Sequence, residues 1–260
     1  MSLRGLRRLI FFGIKDHNIN YVNLGFEITF CSPSGNRNGI IESGFGNDSP
    51  SEVPTLSIDI VFPSSVYHGT LDIYLESFKE RLLNKKYWKE GRDFGPGLYT
   101  TISIDQAKAW AKSMQDKWNE GQPCVLEIAV ESERLSFQPN YRIFTGVSLE
   151  WAKYIYRHRK VPPNGKDPCS SHAHIAIGPM ADANTGIIVQ DGVRLNKDSQ
   201  WFLDKITRNH SNRRLDSLQL GNQIVFCDET LAPMLNLTGS YVYQGRRWRY
   251  VGNEETVKQL

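Results

Sequence analysis

Short runs that alternate apolar with polar residues, cut by glycine, proline and asparagine, recur along this chain of 260 residues. Such runs read as half-buried strands, because successive side chains of a strand point to opposite faces. Phe26–Phe30, Leu56–Phe62 and Val125–Val130 are of this kind, His174–Pro179 reads as a short apolar strand ending in a turn, and a late strand falls within Leu218–Phe226. Between them stand stretches with helical spacing. Residues 71–84 carry Ile73, Leu75, Phe78, Leu82 and Leu83 as an apolar stripe. Ser103 reads as the N-cap of a helix to about Glu120, with Ala107, Trp110, Ala111 and Met114 on one face. Residues 145–160 place Val147, Trp151, Tyr154 and Ile155 together, and shorter helices are expected over 197–206 and Asp228–Leu235. Strands and helices in this order imply an α+β fold.

Punctuation divides the chain. Residues 1–62 are β-leaning and dense in Gly, Asn, Ser and Pro, and Pro63 opens a new section. The main domain is expected over 63–240. Residues 241–260 read as a basic-aromatic hairpin and tail. Hydrophobic residues make up 40% of the chain, enough for a packed core. The net charge, 31 − 28 = +3, is too mild to imply nucleic acid or a membrane surface by field alone. Leu9–Ile14, the apolar run near the start, falls far short of the ~20 residues a membrane helix requires. It reads as a first strand or helix rather than a signal peptide. Cys31, Cys124, Cys169 and Cys227 form no C-x-x-C pair. They read as thiols of a reducing compartment, hence a cytoplasmic protein.

Three places carry the residue types that chemistry needs. His68 ends an apolar strand and is followed by Gly69 and Thr70. An imidazole there can hydrogen-bond a ribose hydroxyl, and the glycine admits a ligand to its backbone. A turn with a satisfied histidine explains the same residues. The loop Asp93-Phe94-Gly95-Pro96-Gly97-Leu98-Tyr99-Thr100-Thr101 fixes a tight turn with exposed backbone donors, and Tyr99 can stack on a flat heteroaromatic ring. Its plain alternative is a hairpin with a core tyrosine. Gln223 begins an otherwise apolar strand, as a ligand contact or an ordinary edge amide. His172 and His174 lie at i and i+2 with no third ligand at a telling spacing, so no metal is expected. Arg157–Lys160 at a helix end suits the helix dipole. No family context surrounds a cysteine that would mark a Cys–His nucleophile.

Taken in order, Tyr67-His68-Gly69-Thr70, Asp93–Thr101, Ile177-Gly178-Pro179-Met180-Ala181-Asp182 and Gln223-Ile224 resemble the ADP-ribosyltransferase superfamily. More narrowly, they resemble a bacterial group of uncharacterised ADP-ribosyltransferase-like proteins, over about 65–237. The resemblance implies a split β-sandwich with flanking helices, and NAD as the substrate in its cleft. It implies that His68 holds a ribose, that Gly69 pairs with the nicotinamide carboxamide and that Tyr99 stacks on the nicotinamide ring. Thr70, Asp93, Phe94, Gly95, Gly97 and Trp110 would complete the NAD site. Gln223 falls at the third catalytic position, where many relatives carry glutamate. A neutral amide orients a ribose but neither takes a proton nor balances a cation. Either turnover is slower, or a base comes from elsewhere, with Asp228, Glu229, Asp93 and Asp182 as the candidates.

The resemblance thus implies transfer of ADP-ribose from NAD to a macromolecule. NAD hydrolysis on the same fold, and a catalytically inactive nucleotide- or protein-binding module, stand beside it. The weak net charge favours a protein acceptor over a nucleic acid. Arg246, Arg247, Trp248, Arg249 and Tyr250, which interleave cations with aromatics, argue the other way.

Overall fold

The computed structural model describes residues 27–31, 57–160, 168–169, 171–181, 185–209 and 211–252. The chain divides into two compact units at Phe62/Pro63. Within the first unit, β1 (Glu27–Cys31) and β2 (Ser57–Val61) form an antiparallel pair in which Glu27 lies opposite Val61.

The second unit opens with β3 (Ser65–Leu71), whose alternation leaves Val66 fully buried. The helix expected over 71–84 is shorter. A 3-10 turn over Asp72–Tyr74 runs into α1 (Leu75–Glu80), and Arg81 is already extended. Asn84 then accepts a bond from the Lys86 N–H and starts a separate 3-10 turn. A local side-chain bond of this kind competes with helix continuation. Next come β4 (Leu98–Thr100), α2 (Ile104–Trp118), β5 (Pro123–Val130) and β6 (Tyr141–Ile143). The Ser103 hydroxyl caps α2 by accepting from the Gln106 N–H at 3.2 Å, and Asn119 in the left-handed region (φ 52°) ends it.

α3 (Leu149–Arg159) starts on Ser148, whose hydroxyl accepts from the Trp151 N–H at 3.1 Å. It is followed by β7 (Ile175–Pro179), α4 (Thr185–Arg194), α5 (Ser199–Ile206), α6 (Ser217–Leu220) and β8 (Asn222–Phe226). α4 is a helix beyond those expected from the periodicity. The stretch expected as a helix from Asp228 is a 3-10 turn over Glu229–Met234 that contains Pro233. β9 (Leu235–Gln244) and β10 (Arg247–Gly252) close the described chain.

Two four-stranded sheets result. One has the order β10-β9-β5-β3 and is antiparallel throughout. The other has the order β4-β8-β7-β6, with β6 and β7 parallel. This is a mixed α+β architecture. α2 covers one face of the first sheet, and α3, α4 and α5 pack with Ala176 and Val225 of the second around Trp151, Ile155, Phe202 and Ile206.

Two sequence expectations change here. The boundary at 240/241 is absent, because β9 crosses it unbroken and β10 pairs along it from Arg247↔Gln244 to Gly252↔Gly239. Tyr241 and Trp248 pack against Ala107, Ala111 and Val125, so the hairpin is the outer edge of a sheet under α2. Trp110 also leaves its expected apolar face and is 47% exposed. The reason is the closeness of α2 to β3. A Cβ on Gly69 would stand 2.3 Å from the Ala107 carbonyl oxygen, so only small residues can face the sheet at that crossing.

Candidate functional site at the junction of the two sheets

The sheets meet where β3 and β4 touch. Tyr67 and Thr101 exchange both backbone hydrogen bonds, at 2.8 and 2.9 Å, and beyond that pair β4 continues in the other sheet. In an extended strand the backbone groups of residue i+2 point to the same edge as those of residue i. Gly69 therefore turns its N–H and C=O toward the edge from which β4 departs.

His68 sits at this parting. Its Nδ1 donates to the Tyr99 carbonyl at 2.7 Å, and its ring packs on Phe78 with centroids 5.1 Å apart. A carbonyl only accepts, so the neutral ring carries its proton on Nδ1 and presents Nε2 as an acceptor. Burial pushes the imidazole pKa below its ordinary 6.5, against a smaller upward pull from the Tyr99 carbonyl. A neutral ring with an acceptor nitrogen suits a ligand hydroxyl.

Tyr99 lies opposite Val225, and Gln223 stands two positions before Val225 in β8, so Tyr99 and Gln223 belong to the same face of that sheet. The Tyr99 hydroxyl accepts from the Phe94 N–H at 2.9 Å and donates to the Gly95 carbonyl at 2.7 Å. Burial raises its pKa well above 10, helped by the Asp93 carboxylate. Gln223 is 5% exposed and donates from Nε2 to the Pro179 carbonyl at 3.2 Å. Trp151 Nε1 donates to the same oxygen at 3.1 Å.

The glycine loop is clamped from within, and this corrects the expectation of exposed donors. The Phe94 N–H is used by Tyr99, and the fully buried Phe94 ring packs against Phe144 and Tyr154, as a core residue rather than a ligand contact. Asp93, 7% exposed, accepts from Arg159 Nε at 2.6 Å. One cation of the helix-end cluster is thus tied inward. Gly95 holds φ +83°, and a Cβ there would stand 2.7 Å from His172 Nε2. Gly97 lets the chain approach β8, since a Cβ would lie 2.7 Å from the Phe226 carbonyl oxygen. Thr70 is buried opposite Cys124. Trp110, on the exposed side of α2, stands apart from this bonded group.

A family model described as a protein of unknown function, DUF3990, matches residues 65–237. The chain belongs to this family. No curated protein and no solved structure matches it. The DUF3990 match begins at the first residue of β3 and ends within β9, so it holds His68, the glycine loop, Tyr99 and Gln223 and stops before β10.

Within the DUF3990 domain the structure adds residues that the sequence reading had not weighed as site residues. Asn222 Oδ1 accepts from the Ile102 N–H and the Thr101 hydroxyl, both at 3.4 Å, and the Asn222 carbonyl accepts from Gln106 Nε2 at 2.7 Å. These bonds tie α2 and the end of β4 to the start of β8, next to Gln223. The proposed substitute bases have other partners. The Asp228 carboxylate accepts from the Thr230 N–H and hydroxyl, and Glu229 from the Lys85 N–H. Asp182 lies outside the described residues. Among the described residues, no group of three or more His, Cys, Asp or Glu is arranged to hold a metal, and no helix is long and apolar enough to cross a membrane.

Proposed function

We propose that this chain binds NAD at the β3–β4 parting and transfers ADP-ribose to a macromolecular acceptor, releasing nicotinamide, on a split β-sandwich of the ADP-ribosyltransferase kind. One observation carries the reading most: His68, neutral and with its tautomer set by the Tyr99 carbonyl, offers Nε2 where the sheets separate. In this reading Nε2 accepts a ribose hydroxyl. The Gly69 backbone, turned to the same edge, pairs with the nicotinamide carboxamide. Tyr99, whose hydroxyl is pinned to the loop and whose ring packs against the core built by α3 and α5, turns the side of the ring left partly exposed to the nicotinamide.

The reaction breaks the bond between the ribose C1′ and the pyridinium nitrogen. The bonding pair leaves with nicotinamide, the ribose becomes cationic at C1′, and the acceptor nucleophile adds there and loses its proton. Gln223 holds the ribose through an amide, which adds no negative charge to the cation. A protein acceptor remains the preferred one, and NAD as substrate carries a cytoplasmic setting with it.

The amide at the third position, with Asp93 held by Arg159, also favours a second reading, a nucleotide-binding module without turnover. Incubation with NAD labelled in the adenylate half separates the outcomes. Label on protein with nicotinamide release supports transfer to protein, and label on nucleic acid moves the acceptor. Free ADP-ribose alone identifies a hydrolase. Binding without nicotinamide release identifies the module, and neither binding nor release overturns the NAD reading.

A further inference from the structure

Behind the glycine loop, on the side of α3, lies a second group of reactive side chains that the NAD reading does not use. His158 is 3% exposed, and its Nδ1 stands 2.8 Å from the Tyr154 carbonyl. That carbonyl only accepts, so Nδ1 keeps the proton and Nε2 holds a lone pair. Nε2 faces Cys169 Sγ at 3.4 Å. The imidazole is held in place by the Tyr154 ring at 4.2 Å and by His172, edge-on at 5.3 Å. A nucleophile within reach of a base, with the base oriented by a third group, is the arrangement that activates a thiol.

The other thiols described in this unit differ. Cys124 is fully buried, and burial pushes its thiol up to about 12. The Cys227 sulfur lies 3.6 Å from the Val225 carbonyl, an acceptor that leaves its proton in place. Cys169 is partly exposed and has an imidazole lone pair before it.

We propose that Cys169 is a reactive thiol, deprotonated by His158, that forms mixed disulfides with low-molecular-weight disulfides. The proton passes from Sγ to His158 Nε2. The thiolate attacks one sulfur of the small disulfide, a new S–S bond forms as the old one breaks, and the departing thiolate takes the proton back from His158. Cys169 is oxidised and the departing sulfur is reduced, so the step balances. The proposal stands apart from the NAD reading.

The test uses the full chain at pH 7 with oxidised glutathione as the probe, and follows each cysteine by peptide mass over time. Cys169 is expected to form its adduct about tenfold faster than Cys227. His158→Asn keeps a donor for the Tyr154 carbonyl and removes the base. It should slow Cys169 about tenfold and leave Cys227 unchanged. A wild-type Cys169 no faster than Cys227, or a Cys169 rate unmoved in His158→Asn, overturns the proposal. Should the variant fail to fold, the wild-type comparison decides alone.

Discussion

At the scale of single residues, the junction depends on two side chains whose hydrogen bonds do different things. Tyr99 uses its hydroxyl twice, toward the Phe94 N–H and the Gly95 carbonyl. Tyr99→Phe removes both bonds and leaves a buried N–H without that partner. A loss of about 1–3 kcal/mol in denaturant unfolding is expected, with the ring still in place. Unchanged stability would mean that the hydroxyl does not hold the loop. His68 titrates in a window set by burial. Its folded pKa is lowered from 6.5, so below that pH the unfolded chain takes up a proton that the folded chain resists. Its contribution to stability is therefore complete above the ordinary value and is lost as pH falls toward the lowered one. Wild type should lose more stability than His68→Gln between pH 7.5 and pH 5, and parallel curves would contradict this.

At the scale of elements, the junction depends on how closely α2 lies on β3. Gly69→Ala places a methyl carbon against the Ala107 carbonyl, and the helix must move. About 1–3 kcal/mol of destabilisation is expected. A melting temperature equal to wild type would show that α2 is not so tightly seated. Elements with local signals were legible in the sequence. Ser103 announced the start of α2, because a cap is a bond between near neighbours, whereas the expected start of α3 at 145 lies ahead of its cap, Ser148. The order of His68, the glycine loop and Gln223 was legible too, through short motifs. What escaped were decisions made between elements. Trp110 has the right spacing for a buried face, yet the Gly69–Ala107 crossing leaves no room for it. Phe94 reads as part of a ligand loop until Phe144 and Tyr154 close over it. The bonds of Asp93 to Arg159, 66 positions apart in sequence, and of His158 to Cys169 have no spacing that marks them.

At the scale of the whole molecule, the final strand pair belongs to the folded second unit. Trp248 packs into the cluster of Ala107, Ala111 and Val125, with Lys108 over its ring at 5.7 Å. Trp248→Ala should cost about 2 kcal/mol, less than a fully buried tryptophan because the ring is partly exposed. Unfolding at the wild-type denaturant midpoint would return the hairpin to the status of an appendage. The wider claim is that the place where β3 and β4 part is a nucleotide site ordered by His68. Calorimetric titration of NAD into the wild-type chain and into His68→Ala tests it most directly. The account predicts saturable binding by wild type and an affinity at least about tenfold weaker in the variant, the equivalent of one lost hydrogen bond, with the variant still folded at the temperature of the titration. No binding by wild type, or equal affinity in the two proteins, would contradict it.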